Sequence, residues 1–265
     1  MKPESVLLAI ETSGKSGSIA ILSERSGKLV CDMELLSPEF GSARTLAPAI
    51  DRLMAKNDIE MTSLCAIALL TGPGSFTGLR VGVATAKAMA YALRIPTVEV
   101  DTLDVIARQC PVTSNSLFAI FDAYRGQVFA AEYFIRVAGA SQSIEKVSET
   151  EILDMDVLLE RASQSNNGQS SIDLCGPGCD RVRKYLADPE LNRPEFVATI
   201  GGRIRWIEGP EVMPKANAVA TLGFEKFAKE QTLDPFLIQP RYYRASAAEE
   251  VAAKNSSSLT PHSKS

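Results

Sequence analysis

The sequence predicts an α/β protein of two related halves, the first reading β-β-β-α-β-α, and three observations carry that reading. Apolar runs of strand length alternate with segments of helical spacing. The opening pattern returns in outline from residue 117. Between the two, Thr71-Gly72-Pro73-Gly74-Ser75-Phe76-Thr77-Gly78-Leu79-Arg80-Val81-Gly82 joins an apolar run to an alanine-rich helix through a loop dense in glycine.

Residues 5–10 read as a strand, 11–17 as a turn, 18–22 as the returning strand of a hairpin and 28–35 as a third strand. Residues 43–56 carry Leu46, Ala47, Ile50, Leu53 and Met54 at helical spacing, with Pro48 expected to start or kink the helix. A buried strand at 64–70, the glycine loop, a helix at 81–93 and a strand at 97–100 complete the first half. A helical stretch follows at 103–109. Leu117-Phe118-Ala119-Ile120-Phe121 then ends in Asp122 as residues 7–10 end in Glu11, and each acid leads through a glycine-containing turn to a returning strand. Residues 151–162 read as a helix, 163–171 as a polar loop, and 172–175 as a strand entering the turn Gly176-Pro177-Gly178. Helices at 180–186 and 216–229 follow, residues 239–244 close the ordered chain, and 245–265 read as a frayed or disordered tail. The implied division is 1–102, 103–244 and that tail.

In the glycine loop, Gly72 and Gly74 permit backbone angles closed to other residues, Pro73 stiffens the turn, and Ser75 or Thr77 can cap the helix. Such a turn could hold an anion. The phosphate-loop signature requires lysine and then Ser/Thr after its last glycine, whereas Gly78 is followed by Leu79 and Arg80; the dinucleotide fingerprint would place its third glycine on Thr77. Gly78, Gly82, Ala86 and Ala90 instead put a small residue at every fourth position, along one helix face. A helical glycine costs about 1 kcal/mol relative to alanine, so the pair calls for a close neighbour, either this chain's own sheet and helices or a second molecule.

With 265 residues, 45% hydrophobic and 23% charged, the chain can bury a full core in one large or two modest domains. Its net charge of −4 gives no basic footprint for nucleic acid. No apolar stretch approaches the roughly 20 residues that cross a bilayer, and Met1-Lys2-Pro3-Glu4 leads into a strand, so a cytoplasmic location is expected. Of the five cysteines, Cys31 and Cys65 lie in apolar runs and read as core; Cys175 and Cys179 are a weak zinc signal, and no metal is expected. The single histidine, His262, falls in the tail, which excludes histidine-dependent triads, zinc-protease motifs and a histidine general base. No catalytic residue is assigned.

Leu8-Ala9-Ile10-Glu11-Thr12-Ser13, the loop from Gly72 to Gly82, Asp122-Ala123-Tyr124-Arg125-Gly126-Gln127-Val128 and Pro240-Arg241-Tyr242-Tyr243-Arg244 together resemble the TsaB family, subunits of tRNA threonylcarbamoyladenosine biosynthesis once described as glycoprotease-like. The resemblance is collinear over residues 5–244. It implies an actin-like ATPase (ribonuclease H-like) fold, formed by two related β-β-β-α-β-α domains with mixed sheets, and a non-catalytic scaffold role. The implied partner is a catalytic sister of the same fold (TsaD-like), which modifies adenosine 37 of tRNAs reading codons that begin with adenine. An associated ATPase subunit (TsaE-like), a homodimer of the isolated chain and indirect service to tRNA are also implied, with no membrane. The sister's metal is held by paired histidines on the first long helix, and here that region reads Glu39-Phe40-Gly41-Ser42-Ala43-Arg44-Thr45-Leu46, with Ser42 where family members commonly keep one histidine.

The family pairs through its first two helices. The implied interface is Leu46, Ile50 and Leu53 from the first, and Phe76, Leu79, Arg80, Val83 and Lys87 from the second, with Gly78, Gly82, Ala86 and Ala90 allowing close helix packing. No cofactor is expected on the chain alone, although a nucleotide at a subunit interface fits the family. An alternative is a small-molecule kinase or ATPase, with Glu11 and Asp122 as magnesium-associated acids and the turn at 176–178 against adenine. Another is a protease, which the histidine count disfavours.

Overall fold

The computed structural model describes residues 5–25, 27–39, 41–111, 115–138, 141–165, 171–188, 200 and 202–243; the expected tail with His262, and part of the loop expected at 163–171, lie outside them. Strands β1 (Val6–Glu11), β2 (Ser18–Arg25), β3 (Lys28–Leu35), β4 (Leu64–Gly72) and β5 (Thr97–Asp101) form one sheet in the order β3-β2-β1-β4-β5. The second sheet contains β6 (Ser116–Asp122), β7 (Gln127–Ala138), β8 (Ser141–Lys146), β10 (Ile172–Cys175) and β11 (Ile204–Ile207), in the order β8-β7-β6-β10-β11, with β9 (Glu151–Asp154) paired to β7. In each sheet the first three strands are antiparallel neighbours and the last two join in parallel. The two halves therefore repeat one topology, and Glu11 and Asp122 end equivalent strands.

Strand alternation divides the core into layers. Along β1, Leu8 and Ile10 face α1 (Ser42–Lys56) and α2 (Phe76–Leu93), packing with Leu46, Ile50, Leu53, Val83 and Ala86. Leu7 and Ala9 face the other way, onto Ala216, Val219 and Ala220 of the last helix. Burial on both faces explains why β1 and β4 read as unbroken apolar runs. In the second sheet, Phe118 and Ile120 face α4 (Met155–Gln164) and α5 (Cys179–Leu186), while Leu117 and Ala119 face α3 (Thr102–Gln109). The last helix, α6 (Ala216–Ala228), touches α3 between the sheets, where Arg108 pairs with Glu225 at 2.9 Å.

This arrangement corrects several expectations. The boundary that put residues 103–244 in one unit does not follow the packing, because α6 completes the first sheet's core. Residues 229–243, called the arm below, also stay with that sheet: Leu233 bridges Thr97 at the free edge of β5, and Ile238 is buried among α1 and α2. Helix α2 starts at Phe76 rather than 81, because Ser75 accepts a hydrogen bond from the Gly78 N–H at 3.3 Å and caps it there. Residues 151–154 pair with β7 instead of opening α4, and β8 and β11 were not anticipated. Pro48 sits inside α1, and Cys31 is exposed on the edge strand β3.

Candidate docking face

The glycine loop is a packing device. A Cβ at Gly74 would lie 2.6 Å from the Ser13 Cβ, one at Gly78 2.0 Å from the Thr12 carbonyl oxygen, and one at Gly82 2.4 Å from the Thr12 Oγ1. The small face of α2 is thus pressed against the end of β1, and the Ser75 N–H donates to the Ser13 carbonyl at 2.7 Å to hold the contact. Ala86 and Ala90 continue that face into the core between sheet and α1. Of the two neighbours left open for Gly78, Gly82, Ala86 and Ala90, the structure supplies the chain's own sheet and helices.

Packing of the loop encloses Glu11, of which only 1% remains exposed. Its carboxylate accepts from the Ser13 N–H at 2.6 Å, the Ser13 hydroxyl at 2.8 Å and the Ser18 hydroxyl at 3.4 Å, and Ser18 in turn accepts from Ala216 N at the start of α6. Burial pushes the acid up to about 7 against these hydrogen bonds, which pull it down. Asp122, its counterpart, pairs with Arg181 at 3.0 Å and caps the Tyr124 N–H. Both acids of the kinase or ATPase reading are therefore engaged by the chain's own groups. The Cys179 thiol donates to the Leu174 carbonyl, and no group of three or more potential metal ligands occurs among the described residues.

Five of the interface candidates are interior. Leu46, Ile50, Leu53, Leu79 and Val83 are 1–6% exposed, because they lie on the arcs of α1 and α2 that the sheet covers. Phe76 and Arg80 are exposed and Lys87 half-buried, on the opposite arc of α2, which continues through Ala84 and Ala88 to Tyr91. The 80, 84, 87, 91 spacing places these side chains in one outward row. On α1, Ala43, Arg44, Ala47 and Pro48 are the exposed counterparts.

Sequence reasoning missed the arm. The Tyr242 ring lies 5.1 Å from Phe76, its hydroxyl accepts from Arg80 Nε at 2.8 Å, and the Arg80 guanidinium sits 3.8 Å over the Phe76 ring. Lys87 donates to the Phe236 carbonyl at 3.1 Å, and the Phe236 ring meets Tyr91 edge-on at 5.1 Å. The arm is anchored behind this row. Gly72 adopts φ 138°, where a side chain would be strained, and its site for a Cβ lies 3.0 Å from the Arg241 carbonyl oxygen. Arg241 bonds Thr71 and Glu99, and the Tyr243 hydroxyl reaches Asp101 at 3.2 Å.

The outward row is therefore aromatic at both ends, small in the middle and basic along its length. Exposed aromatic and arginine side chains clustered in this way are the composition of a protein interface. No helix among the described residues is long and apolar enough to cross a membrane.

Comparison with known proteins gives the chain relatives over most of its length. The family model described as TsaD, tRNA N6-adenosine threonylcarbamoyltransferase, matches residues 41–190. The chain is similar to the tRNA threonylcarbamoyladenosine biosynthesis protein TsaB of Bacillus subtilis, 35% identical over 92% of this chain and 96% of the relative. It is also similar to TsaB of Escherichia coli, 25% identical over 91% and 96%. Among solved structures, an uncharacterized Pseudomonas aeruginosa protein with similarity to the peptidase YEAZ superposes with a TM-score of 0.71 at 21% identity, covering 91% of this chain and all of that one. YeaZ of the same organism gives 0.67 at 21% identity, over 90% and 99%. The two structural likenesses carry the fold.

Proposed function

The chain belongs to the TsaD-type family and, within it, to TsaB, and from that premise we propose that it is a non-catalytic docking subunit in the biosynthesis of N6-threonylcarbamoyladenosine at position 37 of tRNAs reading codons that begin with adenine. The observation that carries the proposal is the outward row of α2: the signature loop is spent on internal packing, and what the helix offers to another molecule is Phe76, Arg80, Ala84, Lys87 and Tyr91. Its partner in this reading is the threonylcarbamoyltransferase of the same fold. The associated ATPase subunit, self-association of the isolated chain through the same row, a nucleotide held at the subunit interface and a cytoplasmic location belong to the proposal, and tRNA is served through the partner.

Ala84 is the residue on which to test it, because it is exposed in the middle of the row and a long side chain there meets no core. Ala84→Arg is expected to melt as the wild type does and to lose co-purification with the cognate transferase, a drop in affinity of about 100-fold or more at the centre of an interface. Retention of the complex at full yield would reject this surface. Val83→Glu would be a poor substitute, since Val83 is buried against Ile10 and its neighbours and a charge there unfolds the chain.

A further inference from the structure

The C-terminal end of α2 and the arm enclose an open pocket of about 620 Å³, lined among others by Tyr91, Arg94, Pro96, Leu233, Pro235 and Phe236. It continues the outward row, since Tyr91 belongs to both, and the sequence-distant arm supplies half its wall. We propose that this pocket receives an apolar anchor side chain of the docked partner, flanked there by a carboxylate that Arg94 meets, so that the arm is a working half of the docking surface. The inference rests on the docking reading given above and assigns a surface that reading does not contain.

Two features favour that occupant. Tyr91, Ile95, Pro96, Leu233, Pro235 and Phe236 supply the apolar part of the lining, and the Tyr91 and Phe236 rings, packed edge-on at 5.1 Å, are each 62% exposed, so a side chain laid against that pair would remove apolar surface on both sides from water. Charge then selects among apolar partners. The chain as a whole is acidic at −4, yet Arg80 and Lys87 on α2 and Arg94 just past its end recur at seven-residue spacing. The acid at the pocket, Asp234, is already turned inward to the Phe236 N–H at 2.8 Å. A partner that places carboxylates beside an apolar residue is complementary to that pattern. A second copy of the chain would bring the same three cations to the contact and is the weaker fit.

Calorimetric titration of the full chain with the cognate transferase tests the proposal, using Phe236→Ser and Arg94→Glu, both at exposed positions, beside Ala84→Arg and, as a remote control, Leu29→Ser on β3. Thermal melting of each variant confirms its fold. Phe236→Ser is expected to weaken binding at least tenfold, and Arg94→Glu to weaken it and flatten its dependence on salt, with Leu29→Ser unchanged. Pocket variants that bind within twofold of wild type while Ala84→Arg does not bind would overturn the pocket and leave the docking face standing. If Ala84→Arg also bound normally, the docking reading would fall with it. Should the pocket variants dissolve a dimer of the isolated chain in sedimentation yet bind the transferase normally, the pocket belongs to a second copy and the proposal is wrong.

Discussion

Gly78→Ala is expected to destabilise the chain by about 3 kcal/mol, the upper range for overpacking a core. Its new methyl would sit 2.0 Å from a backbone carbonyl oxygen, that of Thr12, and neither α2 nor β1 can yield without disturbing the other. Melting should fall by about 10 °C for a domain of this size. Gly14→Ala is the matched control: its nearest neighbour would be the Ser16 carbonyl oxygen at 3.8 Å, and it should melt within a degree or two of wild type, about 0.5 kcal/mol. If Gly78→Ala melted like the control, the packing role of the loop would be wrong. Loss of complex in any Gly78 variant consequently reports on the fold and says nothing about docking.

Glu11 gives the second large effect, and it depends on pH. Burial holds the folded-state value near 7, above the ordinary 4.5. Between those two pH values the folded chain keeps a proton that the unfolded chain has lost, so stability is fully present below about 4.5, falls as pH rises and levels off above about 7. The gap corresponds to about 3 kcal/mol, or about 6 to 12 °C in melting temperature for a domain of this size. Glu11→Gln should flatten the profile, because an amide oxygen can still accept from Ser13 while the amide nitrogen, in place of the oxygen to which Ser18 donates, can reverse that bond as a protonated carboxyl would. A wild-type melting temperature that did not change from pH 5 to 8 would count against a buried, proton-holding carboxylate.

Much of the fold was legible because local and global signals agree. The apolar runs of β1 and β4 are strands covered on both faces, and the hairpin, turn and acid that recur at Asp122 mark a true duplication of topology. What failed did so where a distant partner decides. Glu151-Ile152-Leu153-Asp154 fits a helix as well as a strand, and only pairing with β7 settles it. Ile204–Ile207 is too short to announce itself, and parallel pairing with β10 is what makes it a strand.

The expected interface set diverged from the exposed face for a different reason. Seeking an interface among the apolar positions of α1 and α2 selects Leu46, Ile50, Leu53, Leu79 and Val83, the same residues that the sheet requires. The outward arc carries Ala84, Ala88, Arg80 and Lys87, which in a sequence look like any solvated helix face. Tyr242 lies 166 positions from Phe76, as the difference of their numbers gives, and no periodicity links them.

The placement of α6 and the arm has a consequence for biogenesis. The first sheet's second face and the Ile238 plug come from residues made more than a hundred positions after that sheet's last strand, β5. An emerging chain therefore holds Leu7, Ala9, Ala66, Ala68 and Leu70 uncovered until residues 216–220 have been made, which makes the nascent first sheet a client for chaperones. For the same reason, residues 1–102 expressed as a fragment should aggregate, and co-expression of residues 203–243 in trans should return it to the supernatant.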